Sequence, residues 1–144
     1  MAMTSPAKGI ADLLVAANVG VAGATSGWSI SLGKLPTSPD TAIACTSVGG
    51  SSPFPNLRIN LPSVQVMVRG APGNYLGAEN KSREVVDKLL GLPARTLNND
   101  FWSGVRQLGD VISLGFDEKN RPIFSCNFSL IVQPASGDYR QAIS

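Results

Sequence analysis

The chain has 144 residues and a mass of 15.0 kDa, about the size of one domain, and its 43% apolar content can fill a core without disulfide or metal staples. Charged residues make up 15% of the chain, below the usual share of about 25%, and the net charge is only +2. There is no histidine, which excludes Ser-His-Asp and Cys-His catalysis and His-containing zinc sites within this chain.

The predicted elements begin with a helix. Ser5 is an N-cap, Pro6 stands at the first helical position, and Ile10, Leu13, Leu14 and Ala17 recur at i, i+3, i+4 and i+7. Gly20 offers a stop. Lys8 and the run from Leu13 to Ala24 loosely resemble a signal peptide, but Asp12 and Asn18 interrupt it and the helix explains more residues. No run is long and apolar enough for a membrane span.

The period then becomes two. Trp28, Ile30 and Leu32 alternate with Ser29, Ser31 and Gly33 as a half-buried strand. The prolines of Leu35–Asp40 predict a turn, and residues 41–47 a returning strand. From Val48 to Ser63 the glycines and prolines predict an extended loop or arm, with a short strand possible near 57–60. Val64, Val66 and Val68 mark a third strand, and a second helix follows over 76–90. Its stripe is Ala78, Val85, Val86, Leu89 and Leu90, with Glu84 and Lys88 at i, i+4. Gly91 and Pro93 end it.

The last third predicts a long hairpin over about 104–133. Leu108, Ile112, Leu114 and Phe116 share a face of its outgoing strand, Asp117–Asn120 form the turn, and Phe124, Cys126, Phe128, Leu130 and Val132 alternate on the return. The expected fold is α+β: a single domain over residues 1–144, with a mostly antiparallel sheet of four to five strands flanked by two main helices in the order α-β-β-β-α-β-β.

Candidate chemistry is sparse. Cys45 and Cys126 fit no metal or redox spacing and read as buried thiols, with a disulfide between them left open. Asp117 and Glu118 sit at a solvated turn. Asp110 falls on an apolar strand face and marks a bulge after Gly109 or a pairing with an arginine. The Gly70–Asn74 segment precedes a helix but lacks the P-loop Lys-Ser/Thr ending and the dinucleotide spacing. The twelve cations are scattered among acids, so no nucleic-acid stripe forms. Neither a cofactor nor a metal is expected. Arginines and bulky residues in irregular segments are typical interface anchors. Phe54, Asn56, Arg58, Arg69, Tyr75 and Trp102 are therefore the candidate contact residues, with Phe54 and Trp102 alternatively folding back onto the core.

Three segments carry a family resemblance: LPSVQVMVRG, the helix ending in DKLLGL, and LGFDEKNRPIFSCNFSLIVQ. With the preceding LGKLPTSPDTAIACTSVGG, they resemble the tail terminator proteins of long-tailed bacteriophages, also labelled tail completion or minor capsid proteins. The resemblance spans about residues 28–133. It implies a homo-hexameric ring that caps the head-proximal end of the tail tube, ends tube polymerisation and docks to the head connector. It further implies a place in the virion neck after assembly in the host cytoplasm, transient non-specific passage of DNA through the lumen, no membrane, no cofactor and no reaction. The alternatives are a head-side neck protein, stopper or adaptor, and a non-enzymatic soluble binding module.

Overall fold

The computed structural model describes residues 5–54 and 59–134. Helix α1 is Pro6–Ala16; the Ser5 hydroxyl accepts from the Lys8 amide at 3.4 Å. It ends about a turn before Gly20. Asn18 takes a left-handed φ of 62°, and the Val19 and Asn18 amides donate back to the Leu14 and Val15 carbonyls at 3.0 Å. This is a Schellman-type close. The residue that breaks the apolar run in the sequence is thus the cap of the helix.

Among the described residues eight strands follow. They are β1 (Val21–Ala22), β2 (Ser29–Leu32), β3 (Ala42–Phe54), β4 (Ile59–Arg69), β5 (Arg95–Leu97), β6 (Asp100–Gln107), β7 (Ile112–Phe116) and β8 (Pro122–Gln133). Helix α2, Tyr75–Leu90, lies between β4 and β5, and the Asn74 side chain caps it by accepting from the Gly77 amide at 3.0 Å. The strand order is β1-β2-β3-β4-β8-β6-β5, with β7 also on β8. α+β holds, but the expectation of four to five mostly antiparallel strands is corrected: the sheet is larger and mixed. Two of the extra strands, β1 and β5, have only two and three residues, too short to show a period.

The second correction concerns β3. It was expected to return antiparallel to β2 but runs parallel, pairing Ser29 with Ala42 and Leu32 with Cys45. The Pro36–Asp40 segment is therefore a crossover that carries the chain back to its starting level, not a hairpin turn. The third concerns Val48–Ser63. Strands β3 and β4 run paired through most of it, out to Phe54 opposite Ile59. The register shifts between Ser47 and Gly50 and again between Ser51 and Phe54. Gly49 and Gly50 absorb the first shift with φ of 89° and 109°. A β-carbon at Gly50 would overlap the Leu61 carbonyl. Pro62 sits opposite Gly50 beside this bulge, where a missing N–H does least harm. Bulges, not a loop, account for Gly49, Gly50 and Pro62, while residues 55–58 lie outside the described residues.

One sheet face is covered by the helices. Ile10 and Leu14 of α1 and Val85 and Leu89 of α2 join Ile43, Val64, Val66, Phe128 and Leu130 in one buried cluster. Cys126, Phe128, Leu130 and Val132 of β8 belong to it, and with Phe124 all the alternating residues of that strand are buried. On α2, Val85 and Leu89 are buried as expected while Leu90 faces outward. Glu84 pairs with Lys81 at 2.8 Å rather than with Lys88. The Lys81 ammonium also donates to the Val19 carbonyl at 3.0 Å and lies 5.0 Å from the Trp28 ring centre. That double anchorage holds it within reach of Glu84.

Candidate functional site

Among the described residues, the candidate groups Cys45, Cys126, Asp110 and Asp117 are each buried or held in structural bonds. Cys45 and Cys126 are free and buried. Both pair across to Val66, on opposite sides of it. Strands two apart lie about 9.6 Å from each other, beyond the roughly 7 Å that a disulfide can span. Burial pushes each thiol up to about 12, so both are neutral near pH 7 and neither is a nucleophile. Among the described residues no cluster of His, Cys, Asp or Glu could hold a metal ion.

Asp110 follows Gly109, whose φ is 74°, and marks the break between β6 and β7. Its carboxylate accepts from its neighbour, the Val111 amide, at 2.7 Å and from the Arg83 guanidinium, and these bonds hold its pKa below the ordinary value. Asp117 differs from a merely solvated turn residue. Desolvation pushes its pKa up, but the Arg121 amide and guanidinium and the Lys119 amide outweigh that and hold it below the ordinary value. It closes the β7–β8 turn.

Of the candidate contact residues, two are taken up inside the subunit. Arg69, expected at an interface, is 4% exposed and donates to the carbonyls of Asp40, Pro39 and Pro36 at 2.9, 2.8 and 2.5 Å. Arg121, which the sequence did not single out, donates to the Thr37 carbonyl at 2.9 Å and to the carboxylates of Asp40 and Asp117 at 3.2 and 2.8 Å. Together they staple the crossover to the sheet. Burial, then the neighbouring Arg121 charge, lowers the Arg69 pKa. Trp102 is 5% exposed and packs against Gly9 of α1, where a β-carbon would overlap its indole. The core-capping alternative is the one its burial matches.

Tyr75 remains on the surface, its ring 4.9 Å from Phe124 and 6.4 Å from Phe116. Asn56 and Arg58 lie outside the described residues, and of Phe54 only its backbone pairing with Ile59 is described.

The surface feature that sequence reasoning missed is β7. Its apolar residues were expected to share a face of the outgoing strand; Ile112, Leu114 and Phe116 are 50%, 52% and 50% exposed. Among the described residues strand β7 pairs with β8 alone, and its other edge carries no strand. With Tyr75, whose ring stands 6.4 Å from that of Phe116, it forms an exposed apolar strip. An unguarded apolar edge is an aggregation hazard unless another chain covers it. An open hollow of about 330 Å³ lies between the β3–β4 hairpin and β6–β8, with Leu61, Ile131, Ser51 and Ser129 in its walls. Among the described residues Arg106 is its one ionisable lining residue.

The family model for bacteriophage tail terminator proteins matches residues 13–134. The chain belongs to the bacteriophage tail terminator family. That match covers both helices from Leu13 on, all eight strands and the crossover. A structural role in the phage tail and a location in the virion follow from membership. A terminator interacts with other tail components, and the exposed β7 edge is the kind of surface such contacts require. Among curated proteins no sequence match is found. No described helix is long and apolar enough to cross a membrane.

Proposed function

We propose that this chain ends tail-tube growth by closing as a homo-hexameric ring on the head-proximal end of the tube, where it also presents the surface that joins the tail to the head connector. The family match over residues 13–134 carries the reading. The unguarded apolar edge of β7 supports it. A closed ring needs heterologous contacts, in which one patch meets a different patch on the next copy. A sheet with two dissimilar open ends supplies two such patches.

In this reading the chain acts as a single domain without cofactor or reaction, assembles in the host cytoplasm and resides in the virion neck. DNA crosses the lumen transiently, and a net charge of +2 is compatible with passage without strong phosphate binding. The β3–β4 hairpin reaches toward the tube or a neighbouring copy, Phe54, Asn56 and Arg58 serve as contact residues, and Tyr75 joins the apolar strip. Arg69 and Trp102 serve the interface only by holding the subunit in shape. The test is deletion of Gly49–Asn56, with tube capping scored by negative-stain microscopy. Loss of rings or of capping by a folded variant is expected; normal capping would refute the role of the hairpin.

A further inference from the structure

We propose that the hollow on the sheet face turned away from the helices is a docking site for a carboxylate-bearing, aliphatic segment of another tail protein. The carboxylate meets Arg106, and the aliphatic side chain beside it lies between Leu61 and Ile131. This rests on the reading that the chain works against other tail components, and it names the chemistry of one such contact.

Register places the walls. Ser51 stands opposite Leu61, and Ile131 opposite Gly104. The β4–β8 register is the same at Asn60–Val132 and at Ser63–Ser129, which sets Leu61 opposite Ile131. One row across four strands therefore runs Ser51, Leu61, Ile131, Gly104. Two residues back along β8, Ser129 pairs with Arg106. Leu130 and Val132 belong to the helix-covered core, so Ile131 and Ser129 stand on the opposite face.

The depression has a cause in the sequence. Gly104 leaves its end of the row without a side chain; a β-carbon there would meet only Cδ1 of Ile131, at 3.9 Å. The hollow measures about 330 Å³. A protein cavity of about 150 Å³ is enough to hold benzene, so there is room here for a leucine-sized side chain. Ile131 is 44% exposed, and covering such apolar surface contributes about 25 cal/mol per Å².

Charge selects the ligand. Arg106 is exposed, and its guanidinium makes no ion pair or hydrogen bond among the described residues; nor do the Ser51 and Ser129 hydroxyls. No acidic residue lines the hollow among the described residues. A few convergent polar groups beside apolar walls are what orient a ligand in a pocket. A guanidinium offers a carboxylate two parallel hydrogen bonds and repels a cation. A nucleic-acid backbone has nothing to place against Leu61 and Ile131, and a single cation gives it little affinity.

The probes are N-acetyl-leucine and its uncharged twin N-acetyl-leucinamide, titrated into the 144-residue chain at low salt while backbone amide NMR shifts are followed. N-acetyl-leucine should bind with a Kd on the order of 1–10 mM, shifting Gly104, Arg106, Ser129 and Ile131. The amide should bind about three- to fivefold more weakly. Arg106→Gln should abolish that difference. Gly104→Leu, which fills the hollow, should weaken both probes by about tenfold. On isolated tail tubes both variants, shown to be folded by circular dichroism, should cap about tenfold more weakly than wild type. Equal affinity for acid and amide, a preference unchanged in Arg106→Gln, or shifts confined to other surfaces would overturn the site. So would a DNA duplex that binds through Arg106 when neither probe binds. Expected probe binding with normal capping by both variants would overturn the docking role. Failure of wild-type protein to cap tubes would overturn the proposed function and with it the tail partner, while probe binding as expected would still bear out the carboxylate site.

Discussion

Replacing Arg69 by Met keeps the buried aliphatic stem and removes the guanidinium that holds the crossover. Three bonds to the Pro36, Pro39 and Asp40 carbonyls are lost at once. A hydrogen bond to a charged group contributes about 1.5–3 kcal/mol, so a simple sum would reach about 4.5–9 kcal/mol. Two effects reduce it. Asp40 is exposed and Pro36 and Pro39 are half-buried, so the freed carbonyls can partly rehydrate, and Arg121 is relieved of a neighbouring like charge. The net loss should be about 3 kcal/mol, or roughly 10 °C in melting temperature for a chain of this size. Urea unfolding followed by tryptophan fluorescence checks this, with an unchanged denaturant slope showing that the unfolded state is the same. Arg69→Lys, which offers a point charge in place of a fork, should recover only part of the loss. An Arg69→Met variant within about 0.5 kcal/mol of wild type would refute the claim that this residue fastens the parallel crossover.

Gly9→Ala gains helix propensity of up to about 1 kcal/mol but collides with the Trp102 indole, and the expected net effect is a destabilisation of about 1–3 kcal/mol in the same unfolding assay. Neither cysteine should react with a thiol reagent at pH 8 in the folded protein, and both should react on denaturation, because burial raises each to about 12. Asp117 titrates below its ordinary value in the folded state, so its contribution to stability is complete above about pH 4 and is lost as pH falls through the lower folded value. Acid unfolding of Asp117→Asn should accordingly lack part of the wild-type pH dependence below about pH 4. Leu114→Lys, on the exposed edge, should change stability by less than about 0.5 kcal/mol while weakening capping; an equal loss of both would mark Leu114 as a core residue.

Where a residue's partners are local, the sequence was readable. The Ser5–Pro6 start of α1, the α2 stripe through Ala78, Val85 and Leu89, and the alternation along β8 all appear in the structure. Each follows from a period or a cap within one segment. The parallel β2–β3 pairing was not legible, because it depends on Arg69 and Arg121 reaching back 29 to 84 residues to the crossover. Nor was the continuation of β3 and β4 beyond Ser47, since glycines and prolines at bulges look like those of a loop. The β7 edge failed for a different reason. Alternating apolar residues announce a covered face, but whether the cover comes from this chain or from another lies outside any local pattern. Trp102 shows the converse: a bulky residue near a turn was held by Gly9, 93 positions away in the chain.

The central claim, that the protein caps the tail tube, is tested most directly by measuring tail lengths in electron micrographs of phage particles assembled with and without it. Tubes of uncontrolled length in its absence are predicted, restored to uniform length with a sixfold cap at the head-proximal end when the purified protein is supplied during assembly. Tails of normal, uniform length that join heads in its absence would contradict the account.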